Sequence, residues 1–404
     1  MAGRDKSDAF ARLFDGCLVV HPPVADSQLA EIPAKRGVFF LTAESDRPIL
    51  LTTAASIRAR LRGRLDEHAP DQPTRSADLR AITRRVYWKL AGGHFETDWH
   101  YLELAGAIWP KTLARLIAWK PPWFVHVDPA ETFPRLVRTR DVLGSRGRHF
   151  GPFETGRTAE RFIEAVQDGF DLCRDIQCLR RSPHGQRCAY GQMARCLCPC
   201  DGTISMGAYR AAVQQAAAFA GGDRDERLEQ LGAEMKQAAA ELRFEHAAAV
   251  KSRLDRLAEL DGPPFRFVRP VEQFHYLLVQ RSGSRRKAHV FFATPGAISA
   301  GKPLDYPLKG RQVSGALRRM ASAAATPPGP IGLVERMRMG LIARMLFSAP
   351  QRRGLILHWQ PGMPLEQLIS EIDSAAGVLG LSRKARRPPP PDPKPTSPDA
   401  ASEA

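Results

Sequence analysis

The sequence has no long hydrophobic run. No stretch approaches the roughly 18 consecutive apolar residues that a membrane-spanning helix needs. The N-terminal segment MAGRDKSDAFARLFDGCLVV also has no uninterrupted apolar core of the kind found in secretory signals. We therefore expect neither membrane insertion nor export, and predict a cytoplasmic protein. A hydrophobic content of 43% and a charged content of 25% are typical of a globular chain.

Acidic residues are scarce relative to basic ones. The chain has 43 Asp and Glu against 59 Lys and Arg, which gives a formal net charge of +16. A field of this sign attracts polyanions, so nucleic acid is the first partner class to expect and an anionic membrane surface the second. A generally basic proteome would produce the same charge without any functional meaning.

The length of 404 residues allows several domains, at about 100–200 residues each. GVFFLT (Gly37–Thr42) and PILLT (residues 48–52) predict two short strands, and a helix follows from Ser56. We expect further helices over residues 79–90 and 97–119, the second interrupted at Pro110. The fold class predicted is a multidomain α+β protein.

The second half of the chain begins with the most regular helical period in the sequence. Apolar residues in 224–260 form two stripes, which predict a helical hairpin: Leu228, Leu231, Met235, Ala238, Leu242 and Ala247, Val250, Leu254, Leu257, Leu260. FHYLLVQ and HVFFAT predict a small antiparallel sheet. We expect helices near residues 312–325, 330–347 and 365–379, a strand at GLILHW, and a disordered proline-rich tail.

Cysteine is also scarce, and it is concentrated in one place. Five of the seven cysteines lie in residues 178–200, which we call the cysteine loop. The spacing is Cys178-x9-Cys188-x7-Cys196-x3-Cys200, with Cys198 inside the last interval. Four thiolates can hold a zinc ion or an iron–sulfur cluster. The alternative is a set of unligated thiols in a flexible basic loop.

Three segments together resemble the UvrC family of bacterial nucleotide excision repair. They are HFGPFETGRTAERFIEAV, RCAYGQMARCLCPCDGTIS and ELRFEHAAAVKSRLDRL, in the order that the family shows. The resemblance implies that Cys178, Cys188, Cys196 and Cys200 ligate a [4Fe–4S] cluster, with zinc as the alternative. Cys198 stands at a position that is normally not cysteine, and is either a substitute ligand or a bystander.

The third segment is similar to the UVR motif, the hairpin by which UvrC contacts UvrB. The resemblance implies that UvrB or a UvrB-like helicase binds residues of this hairpin: Leu242, Phe244, Glu245, Ala248 and Leu254. We divide the chain into a GIY-YIG-like domain (25–125), a linker and cysteine-cluster domain (126–222), the UVR hairpin (223–262), a C-terminal α+β domain (263–380) and a disordered tail (381–404).

The N-terminal part resembles a degenerate GIY-YIG nuclease. The resemblance places Arg60 at the phosphate-stabilising arginine and Glu103 at the metal-binding glutamate. The first-strand tyrosine is replaced by Phe39, and the second-strand motif by Leu50-Leu51-Thr52. Because leucine cannot transfer a proton, we expect strand cleavage to be lost, and Mg²⁺ or Mn²⁺ to be needed only if activity remains. The family's second, RNase H-like nuclease is not recognisable in residues 263–380.

We therefore predict a UvrC-like protein that binds DNA, not a membrane, and contacts UvrB without cutting. Its DNA-binding side chains are expected to be arginines: Arg58, Arg60, Arg62, Arg64, Arg138, Arg146, Arg148 and Arg195. One alternative is an active metal-dependent endonuclease in which Tyr87, Tyr101, His94 or His100 replaces the missing tyrosine. Another is a regulatory partner of the helicase that does not bind DNA.

Overall fold

The structure is a computed structural model. It describes residues 2–21, 24–66, 78–142, 146–282, 285–325, 331–349 and 354–381. The predicted tail therefore lies, apart from Leu381, outside the described residues.

The N-terminal part is built on a four-stranded antiparallel sheet with the strand order β1-β4-β2-β3. Its strands are β1 (Gly16–Val19), β2 (Gly37–Thr42), β3 (Pro48–Ala54) and β4 (Arg85–Leu90). Three helices accompany them: α1 (Ala2–Leu13), α2 (Ile57–Asp66) and α3 (Leu79–Ile82). The two predicted strands and the helix after them are confirmed.

The prediction of one helix over residues 79–90 is wrong. Only its first turn is helical, and β4 occupies the rest. The reason is a period of two: Val86, Trp88 and Leu90 pack into one core of the sheet, while Tyr87 packs into the other. A central strand with two buried faces is stabilised by this alternation.

Helices cover both faces of this sheet. α2 packs with Phe39 and Leu41, whereas α4 (His94–Ile108) packs with Val38 and Phe40. Because successive strand residues point to opposite faces, α2 and α4 lie on opposite sides of the sheet. α4 ends just before Pro110 and α5 (Leu113–Leu116) follows, so the predicted interruption is confirmed.

The middle part combines a second antiparallel sheet with helices. Its strand order is β6-β5-β7-β8, formed by β5 (Trp123–Val127), β6 (Val137–Thr139), β7 (Arg148–Phe153) and β8 (Arg269–Pro270). The helices are α6 (Gly156–Gly169), α7 (Ile176–Leu179), α8 (Ala189–Gln192), α9 (Met206–Ala220), α10 (Asp225–Ala240) and α11 (Phe244–Ala258). α10 and α11 form the predicted hairpin, which packs on the same core through Leu231, Val250 and Leu257.

The C-terminal part has a third antiparallel sheet, in the order β11-β10-β9-β13, with β12 beside β10. Its strands are β9 (Tyr276–Arg281), β10 (Lys287–Thr294), β11 (Ala297–Ala300), β12 (Leu304–Asp305) and β13 (Leu355–His358). Its helices are α12 (Gly310–Ala325), α13 (Leu333–Phe347), α14 (Leu365–Ser374) and α15 (Ala376–Leu379). The strands predicted at FHYLLVQ, HVFFAT and GLILHW are confirmed.

The N-terminal and C-terminal parts share one hydrophobic core. α4 packs against α13, and their buried residues include Phe95 and Leu102 on one side and Leu341 and Met345 on the other. The Trp119 indole Nε1 donates a hydrogen bond to the carbonyl oxygen of Met337 at 2.9 Å. The described chain is thus a mixed α and β structure with several small antiparallel sheets. None of its described helices has the length and apolar character to cross a bilayer.

Candidate functional site

The cysteine loop is a compact structure held by its own hydrogen bonds. Its first helix, α7, is capped by Asp175, which accepts a hydrogen bond from the Gln177 backbone N–H at 2.7 Å. The backbone N–H of Leu197 donates to the carbonyl oxygen of Asp171, and that of Gly185 to the carbonyl oxygen of Cys200. The Leu197–Asp171 bond ties the C-terminal part of the loop to the chain just after α6, and the Gly185–Cys200 bond closes the loop on itself.

The loop places its thiols together and adds a sixth. In the described part of the chain all seven cysteines are free thiols. Cys173, which is buried, lies beside Cys196, and its pKa is lowered chiefly by a hydrogen bond from the Cys196 thiol. The sequence reasoning missed Cys173 because it lies outside the family spacing. Its position only five residues before Cys178 was the available signal.

The thiols of the cysteine loop are of the type that ligates zinc or iron, and burial keeps several of them protonated. Burial raises the pKa of Cys178 and of Cys198 to about 11 each, and raises the pKa of Cys200 as well. Thiols in this environment become thiolates when a metal cation compensates their charge. The backbone at Gly191 also approaches the Cys198 thiol closely, because a Cβ atom at this glycine would lie 2.5 Å from Cys198 Sγ.

Both the presence and the kind of a metal centre stay predictions. Across the described ranges, no three His, Cys, Asp or Glu side chains form a group with metal-holding geometry. The ligand roles of Cys178, Cys188, Cys196 and Cys200, and the choice between an iron–sulfur cluster and zinc, are therefore carried forward as proposals.

A buried carboxylate joins the cysteine loop to the hairpin. Asp168, near the end of α6, is 3% exposed and pairs with three arginines. Arg174 precedes the loop, Arg195 lies in it at 2.9 Å from Asp168 Oδ1, and Arg256 comes from α11. Next to them, Arg253 of α11 pairs with Asp171 at 3.0 Å. The hairpin is thus fixed to the loop by ion pairs as well as by packing.

The tip of the hairpin presents apolar side chains to solvent. Leu242 and Phe244 are 72% and 65% exposed, although both are large hydrophobic residues. Glu245 and Ala248 are exposed beside them. Leu254, the fifth predicted UvrB contact, is partly buried against the core of the middle part. Four of the five predicted contacts therefore lie together at the free end of the hairpin.

The predicted DNA-binding arginines fall on separate parts of the surface. Arg60 and Arg62 are exposed on α2, together with the partly buried Arg58 and Arg64. Arg58 Nε donates to the carbonyl oxygen of Ile32 at 2.6 Å. The remaining four predicted arginines lie in the middle part: Arg138, Arg146, Arg148 and Arg195.

Those four differ in how far they are engaged. Arg146 and Arg138 are exposed, and Arg138 Nε lies 3.1 Å from Glu160 Oε1. Arg148 Nη1 donates to the carbonyl oxygen of Ala217 at 3.1 Å, and Arg195 is engaged by Asp168. Arg138, Arg148 and Arg195 therefore have protein partners, whereas the side chain of the exposed Arg146 faces solvent.

The two nuclease positions are not brought together. Arg60 lies on α2 and Glu103 on α4, and these helices cover opposite faces of the N-terminal sheet. Arg338 of α13 meets both oxygens of Glu103 at 2.7 Å, and the Trp99 Nε1 donates to Oε1 at 3.0 Å. A carboxylate held in this way is already charge-compensated.

The residues considered as tyrosine replacements have partners of their own. Tyr87 is buried, and its hydroxyl donates to Asp46 Oδ1 at 3.3 Å. His100 lies 3.7 Å from Glu96, and His94 Nδ1 lies 3.3 Å from Arg36 Nη1. Tyr101 is half-buried, and burial raises the pKa of its hydroxyl. Their roles in the alternative nuclease hypothesis stay untested.

Comparison with known proteins identifies the fold around the cysteine loop. Residues 122–219, from the second sheet through α9, match the family described as UvrC/Cho excinuclease, middle domain. The chain therefore contains a domain that matches the UvrC middle-domain family. It is similar to the UvrABC system protein C of Moorella thermoacetica, with 25% identity over 275 residues, or 68% of this chain and 44% of the relative.

Other relatives give the same result. The UvrABC system protein C of Bradyrhizobium diazoefficiens is 28% identical over 268 residues, covering 65% of this chain and 38% of the relative. That of Acetivibrio thermocellus is 24% identical over 316 residues, covering 76% and 50%. The matched part of this chain thus spans half or less of the length of these relatives. No solved structure matches it significantly.

Proposed function

We propose that this chain is a UvrC-like DNA-binding protein of nucleotide excision repair that docks on UvrB and does not cut DNA. The relatives are named as components of the UvrABC system, which supports a role in that process. The observation that carries the proposal is the hairpin tip, where two large apolar side chains are left in water by a hairpin that is otherwise packed.

The backbone at the tip supports a binding role for Leu242. This residue has φ +58°, in the left-handed region that favours glycine. A leucine there costs about 1 kcal/mol or more of conformational strain, and its exposed side chain recovers little of it by burial. The exposure and positive φ of Leu242 are explained if a partner helix covers the tip and buries this side chain.

DNA binding is supported by exposed basic side chains. Arg60, Arg62 and Arg146 are exposed on a chain with a net charge of +16. Contacts of this kind bind the phosphate backbone with little sequence preference and weaken steeply with salt. We infer that duplex DNA is held mainly by such contacts.

The absence of cleavage is supported by the N-terminal site. Leu50 and Phe39 face the core on the α2 side of the sheet, where the resemblance requires tyrosine hydroxyls. The carboxylate of Glu103 is occupied by Arg338 on the other side. We therefore propose that this part of the chain acts as a scaffold for the C-terminal part.

Calorimetric titration of the full chain with purified UvrB tests the docking. Phe244→Ala should weaken binding about 10- to 30-fold, as for a central apolar interface residue. Leu242→Gly should also weaken binding, yet leave the free energy of unfolding equal or higher because glycine relieves the positive φ. Val19→Ala, at an exposed apolar residue of β1, is the matched control. Unchanged affinity in both hairpin variants would overturn the docking proposal.

A further inference from the structure

A groove of about 360 Å³ lies between the middle part and α13. It is concave, and its walls come from the segment between α5 and β5, from β7 and from α13. Its lining includes both aromatic and basic side chains: Trp119, Lys120, Trp123, Arg140, Arg344 and Phe347. This composition differs from that of an ordinary ligand pocket, whose lining is mostly hydrophobic and contains only a few polar groups.

The guanidinium groups in and beside the groove lie over the aromatic rings. The Arg140 Cζ lies 4.4 Å from the centroid of Trp123, and the Arg138 Cζ lies 5.1 Å from it. The Arg344 Cζ lies 5.6 Å from the centroid of Trp119. Rings and guanidinium planes arranged in this way offer flat surfaces on which another planar group can stack.

Arg140 is incompletely satisfied. Its Nε is buried and has no hydrogen-bond partner among the described residues. A buried donor without an acceptor costs free energy, and such a group in a native structure calls for a missing partner. The rest of this guanidinium lies over Trp123 and lines the groove, where it can meet an anion.

The charge of the groove selects an anion. Lys120, Arg140 and Arg344 line it against one carboxylate, that of Glu154. Arg344 is also paired with Asp98 at 3.2 Å, outside the lining, which leaves Lys120 and Arg140 as the cations that face a ligand.

We propose that this groove binds single-stranded DNA, with an unpaired base stacked on Trp123 and its flanking phosphates on Lys120 and Arg140. The inference rests on the proposed DNA binding and specifies the form of DNA that this site takes. In a duplex both faces of each base are already stacked, so a recessed ring cannot reach them. An unpaired strand can place a base in the groove whatever its sequence. A proline-rich peptide could also stack on tryptophan, but the proline-rich segment of this chain, SRKARRPPPPDPKP, is itself basic.

The test compares two DNA forms and two tryptophans in the full chain. Fluorescence anisotropy would give the Kd for labelled oligothymidine and for a duplex of the same length. Trp123→Leu should weaken oligothymidine binding roughly 5- to 100-fold, the range for loss of one stacked base, and leave duplex binding within about two-fold. Trp88→Leu, at a partly buried tryptophan of β4 away from the groove, should change neither.

A second variant distinguishes a loss of DNA binding from a folding defect of the Trp123 variant. Arg140→Gln keeps a polar side chain but removes its charge, and should also weaken oligothymidine binding more than duplex binding. A 2-aminopurine base in the oligonucleotide should be quenched by the wild type and not by the Trp123 variant.

The possible outcomes separate the two proposals. Equal losses for both DNA forms, or no loss for either, would overturn the groove proposal while duplex binding by the wild type upholds the proposed function. Binding of neither form by the wild type would overturn the proposed function itself. Trp123-dependent binding of a polyproline peptide, with oligothymidine binding unaffected, would assign the groove to a peptide and overturn this proposal.

Discussion

Arg338 meets both carboxylate oxygens of Glu103, with Nε–Oε1 and Nη2–Oε2 distances of 2.7 Å, across a sequence separation of 235 residues. A bidentate arginine–carboxylate pair is among the strongest polar contacts in proteins. It joins α4 to α13. Glu103, which the resemblance places at a metal-binding position, therefore links the N-terminal and C-terminal parts.

This pair predicts that Glu103 acts on stability. Glu103→Gln removes the charge on one side and leaves the half-buried guanidinium of Arg338 with Glu335, at 3.2 Å, as its remaining carboxylate partner among the described residues. We expect a loss of about 1–3 kcal/mol in the free energy of unfolding, measured by urea denaturation.

A double-mutant cycle with Arg338→Met should recover a favourable coupling energy. Asp98→Asn, which breaks a more exposed single contact to Arg344, is the control and should cost less. A Glu103→Gln variant of unchanged stability, which also loses a Mn²⁺-dependent increase in stability seen in the wild type, would support the metal-ligand role instead.

The ion pairs of Asp168 predict that the hairpin depends on the cysteine loop. Asp168→Asn leaves Arg174, Arg195 and Arg256 without their shared carboxylate in a buried site. We expect a loss of about 3–5 kcal/mol, the range for breaking a buried ion pair from one side. Hydrogen exchange of the α11 amides should accelerate in the variant.

The matched control for the hairpin is Asp261→Asn, which removes an exposed partner of Arg224. It should leave α11 protection near the wild-type value. If α11 exchanges at the same rate in the Asp168 variant as in the wild type, packing alone holds the hairpin and the ion pairs are dispensable.

The hairpin could be predicted from sequence because its apolar residues recur with a helical period. Leu231, Ala238, Val250 and Leu257 of the predicted stripes are buried. Leu242 belongs to the same stripe and is exposed, because the helix has ended there and the chain turns through a positive φ. Periodicity predicts which face is apolar, but not what covers each part of it.

Features that depend on distant residues could not be predicted. The Glu103–Arg338 pair and the groove at Trp123 both join segments that are far apart in the chain, and no local pattern encodes them. The strand β4 was missed for a different reason. A short apolar run cannot be assigned to a helix or a strand by periodicity alone, and the alternation of Val86, Tyr87 and Trp88 that fits a central strand spans only a few residues.

The cysteine loop predicts a thiol-ligated metal centre. Anaerobic reconstitution with iron and sulfide should give the broad visible absorption of an iron–sulfur cluster, and protect the ligand thiols from a thiol-reactive dye. Cys188→Ser should abolish the absorption, whereas Cys17→Ser, at the exposed thiol of β1, should not change it.

Cys173→Ser tests the sixth thiol, which lies beside Cys196. As a neighbour of the proposed ligands it should alter the stability of the centre without abolishing it. Stoichiometric zinc with no iron uptake would assign the site to zinc. No metal retention under either condition would contradict the centre altogether.

A buried histidine predicts how stability responds to acid. Burial, reinforced by the neighbouring His126 ring, lowers the pKa of His149 from 6.5 to about 4. Between these values the unfolded chain binds a proton that the folded chain excludes, so stability falls as the pH falls through this window. The loss from this group is at most about 3 kcal/mol.

Urea unfolding at several pH values from 7.5 downwards measures this effect. His149→Gln should flatten the fall between pH 6.5 and 4, while His184→Gln, at an exposed histidine of the cysteine loop, should not. An identical pH profile in the wild type and the His149 variant would show that other groups govern the acid response.

Incubation of closed circular DNA carrying ultraviolet lesions with the full chain tests the central claim most directly. The assay includes Mg²⁺ or Mn²⁺, with and without UvrB, and reads mobility shift and nicking on the same gel. A UvrC-like binder with a disabled N-terminal site should retard the circle at low salt, release it as salt rises, and leave every circle closed in all conditions. Nicked circles that depend on the metal and disappear in the Glu103→Gln variant would contradict the account.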